Sequence, residues 1–346
     1  MKGRIVVLGE LRGLEAAALM LDGQLEDLLL DTSDAVSIAP GAICRGRVDR
    51  QMKGQGGVFV QLPGGEKGFL REVRGLTPGQ SVICQVTGGT EPGKALPVSL
   101  RLLFKGRYGI VTPGAPGLNV SRRIRDEDLR AELQTLAQGV MADSDMGLIL
   151  RSACEGAENN EIAEDIAGLR DLAEAVLADA DGAPELLVDA ASPHEEAWRE
   201  WADPAPDEVT EGFADHGVLE AIDAFLSPRV DFPGGGHMMI EPTRALIAVD
   251  VNTGADTSPA ASLKANIAAA RDLPRQLRLR GLGGQVVIDF APMPKRDRDA
   301  LEQQLRTAFK GEAAETSVAG WTPLGLFELV RKRDRVALRA LLEGRA

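Results

Sequence analysis

Two aspartates end matching apolar runs in the last third of the chain. Asp250 closes Ala-Leu-Ile-Ala-Val and is followed by Val-Asn-Thr-Gly, and Asp289 closes Gly-Gly-Gln-Val-Val-Ile. Both runs have the composition of a buried strand, where an unpaired carboxylate is costly, so each aspartate needs a partner. Side chains two apart on a strand share a face, which puts Asn252 beside Asp250. Two carboxylates and an amide oxygen form a hard-oxygen set for Mg²⁺, which takes one or two carboxylates and keeps waters for substrate phosphate. Asp289 follows Asp250 by 39 residues with one helical pattern between. That spacing suits a strand–helix–strand crossover with both strand ends at one sheet edge. The plainer alternative is that both aspartates cap turns.

The elements that would position this pair are legible from residue 236 onward. Strands are expected at 237–240, 246–251 and 286–289, and helices at 262–279 and 298–309, a layered α/β unit. The first helix carries Lys264, Arg271, Arg275 and Arg278 on one face. They read either as a phosphate-contacting stripe or as a solvated face. Pro274 lies inside the helix and should kink or break it.

Upstream, residues 1–32 read as a hairpin around Asp22-Gly23. Five short glycine-punctuated strands at 42–48, 57–62, 67–70, 81–86 and 96–102 predict a small antiparallel barrel, with the OB-fold as leading candidate. Phe59 and Phe69 are nearly its only aromatics. On a barrel surface they would stack bases, worth ~1–3 kcal/mol each; otherwise they are core residues. Lys94 could touch a phosphate, or be an ordinary surface lysine. Residues 103–185 hold a Gly/Pro-rich loop, a basic cluster (Arg122, Arg123, Arg125), helices near 126–139 and 159–178, and a strand at 146–151. Arg151 and Ser152 close that strand and could hold a terminal phosphate, or Arg151 is simply exposed at a strand end. A short strand at 186–188 and helices around 195–201 and 218–225 follow, with Pro204 and Pro206 marking a linker.

Bulk properties bound the function. The net charge is −13, but it is unevenly spread. Residues 151–220 hold 20 acidic and 3 basic residues, whereas 101–130 hold 7 basic and 3 acidic, and 264–310 hold 10 basic and 5 acidic. Polyanion binding follows the local field, so a nucleic-acid partner stays open. No membrane span or secretory signal is expected. Cys44, Cys84 and Cys154 are widely spaced, which fits a reducing cytoplasm without a disulfide framework.

The stretch from Ile240-Glu-Pro-Thr-Arg through Asp250-Val-Asn252-Thr-Gly, Arg275-Gln-Leu-Arg-Leu-Arg-Gly-Leu-Gly-Gly and Val287-Ile-Asp-Phe to Gly325-Leu-Phe-Glu-Leu-Val-Arg-Lys-Arg resembles the catalytic region of the ribonuclease E/G family. Weaker matches at 56–60, 67–70, 106–108, 119–124 and 147–152 extend the resemblance over most of the chain. It implies an α+β and α/β multidomain fold: an RNase H-like unit (1–36 and 184–230) interrupted by an OB-fold RNA-binding domain (37–100) and a 5′-sensor region (101–183), then a DNase I-like catalytic domain (231–346). It further implies that Asp250 and Asp289 bind Mg²⁺, that Asn252 positions the site, and that single-stranded RNA is cut to 5′-phosphate and 3′-hydroxyl ends. Phe59, Phe69 and Lys94 match RNA-holding positions; Gly106, Ile110, Arg151 and Ser152 match a pocket for a 5′-monophosphate. Arg122, Arg123, Arg275 and Arg278 complete the expected RNA contacts.

Departures from the family pattern are Pro323 in place of an arginine, Cys44 in place of a barrel tyrosine, Ser152 for threonine, Pro274, and a shortened RNase H-like portion. The sequence stops at Ala346 without the family's Cys-x-x-Cys zinc link, so a homo-oligomer is conceivable but not a zinc-linked tetramer. The competing expectation is a catalytically weak or inactive RNA-binding protein of the same descent.

Overall fold

The computed structural model describes residues 3–52, 56–71, 75–90 and 93–344. Glu91 and Pro92, which precede Lys94, and Ala346 lie outside the described residues. The described residues form a mixed α/β multidomain fold built on four sheets.

The first sheet is a meander of Arg4–Leu11, Leu14–Leu21 and Gln24–Leu30, turning at Asp22 and Gly23 as expected. A fourth strand, Glu208–Glu211, joins from far along the chain and runs parallel to the first, with Ile5 opposite Glu208. It falls in the stretch expected to be a linker. Because side chains alternate along a strand, this sheet buries both faces. Val6, Ala17 and Leu19 pack on Ala197 and Trp201 of the helix Pro193–Trp201. Ile5, Val7, Ala16 and Ala18 pack on Val218, Ile222 and Phe225 of the helix Val218–Leu226.

The second sheet is a five-stranded, OB-like barrel. Ile43–Met52, Gly57–Gln61, Lys67–Arg71, Leu96–Ser99 and Ser81–Val86 follow one another, and pairing of Ile43–Met52 with Ser81–Val86 closes it. Glu185–Val188 adds a sixth strand beside Ile43–Met52. Arg45 locks that strand in place by ion pairs to Asp179 and Glu185. Cys44 and Cys84 face each other across the closing pair and are buried, their thiols raised by burial to about 11 and about 12. The barrel also docks against the C-terminal unit: a Cβ on Gly88 would lie 1.9 Å from the carbonyl oxygen of Arg333, so only glycine permits that approach.

The third sheet (Leu118–Val120, Gly147–Leu150, Gly109–Thr112, Phe104–Lys105) is covered by the helices Glu127–Val140 and Asn159–Ala178. Asp126 caps the first helix by accepting from the amides of Asp128 and Leu129.

The fourth sheet runs Arg229–Asp231, His237–Pro242, Ile247–Asn252, Gly284–Asp289, Phe327–Arg331, Thr316–Trp321. Its central pair is parallel and joined by the helix Pro259–Leu279, as the crossover spacing predicts. Ser258 caps this helix, which runs unbroken through Pro274. Ile247, Val249, Val251, Val286 and Ile288 point to one face and are buried against the helices Pro259–Leu279 and Arg298–Phe309. Burial of each such side chain contributes roughly 1.5–3 kcal/mol. The opposite face is open. This corrects the expectation that these are strands buried on both faces: Asp250 and Asp289 are exposed, so neither carries the burial penalty.

Candidate active site

Asp250 and Asp289 are direct neighbours, paired in register across the parallel strands Ile247–Asn252 and Gly284–Asp289. Both lie on the open face, since Val249 and Ile288 beside them point into the core. Adjacent strands sit ~4.8 Å apart, a separation that lets two carboxylates reach one cation between them. Asn252 donates from Nδ2 to Oδ2 of Asp250 at 2.8 Å, fixing one carboxylate oxygen and leaving the other for a ligand. No group of three or more acidic, histidine or cysteine side chains suited to a metal occurs among the described residues. The donor set is thus two carboxylates, which suits Mg²⁺ with a partly aqueous shell.

Two supports for this edge escaped sequence reasoning. Asn266 is fully buried, donates to the carbonyl of Ala291 and accepts from its amide, both at 2.9 Å. It therefore pins the chain two residues beyond Asp289. A lone amide among Ala265, Ala269, Ala270 and Leu273 was the available signal. Phe290, Trp321 and Phe327 form an aromatic cluster, with ring centroids 5.1–6.2 Å apart, directly behind Asp289. The guanidinium of Arg298 lies over Trp321 at 4.4 Å.

Two arginines of the crossover helix sit elsewhere. Arg275 is bound to Asp272 and to the carbonyl of Leu25, and Arg278 to Glu26 and Glu312. Their donors tie the helix to the first sheet instead of facing the aspartates. This corrects the expected phosphate stripe at Arg275 and Arg278: helix position gave their shared face but not what packs on it, while Lys264 and Arg271 are exposed. Arg122 and Arg123, by contrast, are exposed on the loop after Leu118–Val120.

Phe59 and Phe69 pair across neighbouring barrel strands, with ring centroids 5.2 Å apart and planes tilted by 54°. Both are half-buried on the outer surface, while Val58, Val60 and Leu70 fill the core. Lys94 is exposed in the loop leading into Leu96–Ser99, the strand that places Pro97 opposite Phe69.

Gly106, Ile110, Arg151 and Ser152 converge at one end of the third sheet. Arg151 donates from Nη1 to the carbonyl of Gly106 at 2.9 Å, and its own amide donates to Tyr108. Ile110 lies between Lys105 and Ile149 on neighbouring strands. Ser152 opens a short 3₁₀ turn directly after Arg151. The carboxylate of Asp165 accepts from the amides of Arg107, Tyr108 and Gly109, and a Cβ on Gly106 would meet it at 2.5 Å. Glycine is required there because the carboxylate fills the space.

The fold and site define a multidomain α/β protein with an OB-like barrel and two acidic strand ends on one open sheet face. The family model described as Ribonuclease E/G family matches residues 104–212 and 206–334, and the chain belongs to that family. Ribonuclease E of Nostoc sp. is 30% identical over 92% of this chain and 54% of its own length, and Ribonuclease E of Synechocystis sp. is 30% identical over 92% and 56%. Ribonuclease G of Salmonella typhimurium is 28% identical over 87% of this chain and 74% of its own. The chain thus spans about half the length of the first two relatives.

Proposed function

We propose that this chain is a Mg²⁺-dependent endoribonuclease that cleaves single-stranded RNA to 5′-phosphate and 3′-hydroxyl ends. The observation that carries this is the in-register pair Asp250 and Asp289 on an open sheet face, with Asn252 bonded to the first. In this reading the first sheet is the RNase H-like unit, residues 101–183 the 5′-sensor region and 231–346 the DNase I-like catalytic domain. Mg²⁺ would activate a water and offset charge on the phosphorane.

The protein's own residues do the remaining work. Asp250 and Asp289 hold the cation, and Asn252 keeps Asp250 from rotating. Asn266 fixes the exit of the second strand, so the carboxylates keep their spacing. Phe59 and Phe69 offer a tilted aromatic surface for bases, with Lys94, Arg122 and Arg123 supplying charge for the backbone. Gly106, Ile110, Arg151 and Ser152 form a pocket for a 5′-monophosphate. Among the described residues no helix is long and apolar enough to cross a membrane.

Incubating the purified protein with a labelled single-stranded oligoribonucleotide tests the reading. Cutting that requires Mg²⁺, stops with EDTA and leaves 5′-phosphorylated products is expected. RNA binding with no Mg²⁺-dependent cutting would instead establish the non-catalytic alternative.

A further inference from the structure

The guanidinium at the centre of the candidate 5′-phosphate pocket already has an acidic partner. Arg151 donates from Nη2 to Oε2 of Glu200 at 2.6 Å, a short charge-assisted bond. Its Nη1 is used by the carbonyl of Gly106. Glu200 comes from the helix Pro193–Trp201, remote in sequence and seated on a different sheet. That seat is firm: Ala197 and Trp201 are buried against Val6, Ala17, Leu19 and Leu29, and Ser192 with Glu195 forms a capping box at the start. Glu196 and Glu200 are one turn apart, so they share a face of that helix. Burial chiefly raises the Glu196 carboxyl, which also feels Arg335 and Lys105. The helix therefore presents two carboxyl groups to the Lys105–Gly106 and Arg151 side of the pocket.

A third carboxylate lies on the neighbouring turn: Asp165 accepts from the amides of Arg107, Tyr108 and Gly109, so those donors are already satisfied. A phosphate monoester reaching Arg151 must displace Glu200 or share the guanidinium with a like charge. Glu200 is partly exposed, with 38% of its side chain accessible against 19% for Arg151, so displacement needs only a change of its side-chain rotamer.

We propose that Glu200 is a specificity-determining residue: an internal carboxylate that competes with the RNA 5′-monophosphate for Arg151 and flattens the protein's preference for phosphorylated ends. This rests on the reading of Gly106, Ile110, Arg151 and Ser152 as a 5′-phosphate pocket. The competition is between two anions for one guanidinium, so removing the charge of Glu200 must favour the phosphate specifically.

The test is equilibrium binding of one single-stranded oligoribonucleotide, carrying either a 5′-monophosphate or a 5′-hydroxyl, measured by fluorescence anisotropy in EDTA so that nothing is cut. The readout is the ratio of the two affinities. Glu200→Gln is expected to raise the monophosphate preference roughly tenfold over wild type. Adding Arg151→Ala to that variant should remove the gain. A ratio unchanged by Glu200→Gln but abolished by Arg151→Ala alone would keep the pocket and overturn the role of Glu200. A ratio unmoved by either substitution would overturn the pocket reading, and the proposal with it.

Discussion

The two faces of the C-terminal sheet treat charge in opposite ways. On the open face Asp250 and Asp289 stand exposed and side by side, with a single amide holding one of them. Behind the covered face, acids and arginines neutralise each other. Glu312 binds both Arg278 and Arg331, Arg278 also meets Glu26, and Arg335 meets Asp27. Arg331 is almost fully buried there. The difference separates work from fastening: unmatched carboxylates are available to a cation, whereas matched ones join the sheet, its crossover helix and the first sheet into one body.

That contrast breaks most sharply at the open face. Asp289→Asn should lower Mg²⁺-dependent cleavage about a thousandfold or more, while its urea-unfolding free energy stays within about 0.5 kcal/mol of wild type. A comparable loss of stability would mean the aspartate fastens rather than works. On the covered side Glu312→Gln leaves the buried Arg331 uncompensated, and it should cost about 3–5 kcal/mol in the same unfolding measurement. Sharpening comes from equal charges in unequal places. Arg122→Ala with Arg123→Ala should weaken RNA binding several-fold and shallow its salt dependence by about 1.4 in slope on a single strand, without altering thermal stability. The subtlest effect concerns pH. Burial, outweighing Arg278, raises the Glu26 carboxyl above its ordinary value. The folded state then holds that proton more tightly than the unfolded state, so stability falls as pH rises from the ordinary carboxylate value through the raised one. Glu26→Gln should flatten that part of a stability-versus-pH curve measured by urea unfolding.

The sequence disclosed the covalent order of this arrangement better than its packing. The aspartates, their crossover and their common edge were legible, because apolar runs, an intervening helical period and terminal glycines are local signals. All five barrel strands were legible for the same reason. Partners brought together from far apart were not. Nothing local marks Glu208–Glu211 as the mate of Arg4–Leu11, or Glu185–Val188 as a barrel strand. Arg275 and Arg278 illustrate this most clearly: helical period identified their shared face, but only the tertiary fold reveals that Leu25, Glu26 and Glu312 lie against it. The aspartates, too, looked buried because a one-sided sheet and a two-sided one differ little over six residues.

The parallel pairing of Arg4–Leu11 with Glu208–Glu211 has a consequence for synthesis on the ribosome. The first three strands precede the edge strand that completes their sheet by about 200 residues, a delay of roughly 10–40 s at common elongation rates. The barrel and third sheet lie wholly within that interval and can fold while the opening meander still waits with one edge bare. The segment read as a mere linker is thus the piece whose arrival ends the exposure of the nascent chain's first sheet.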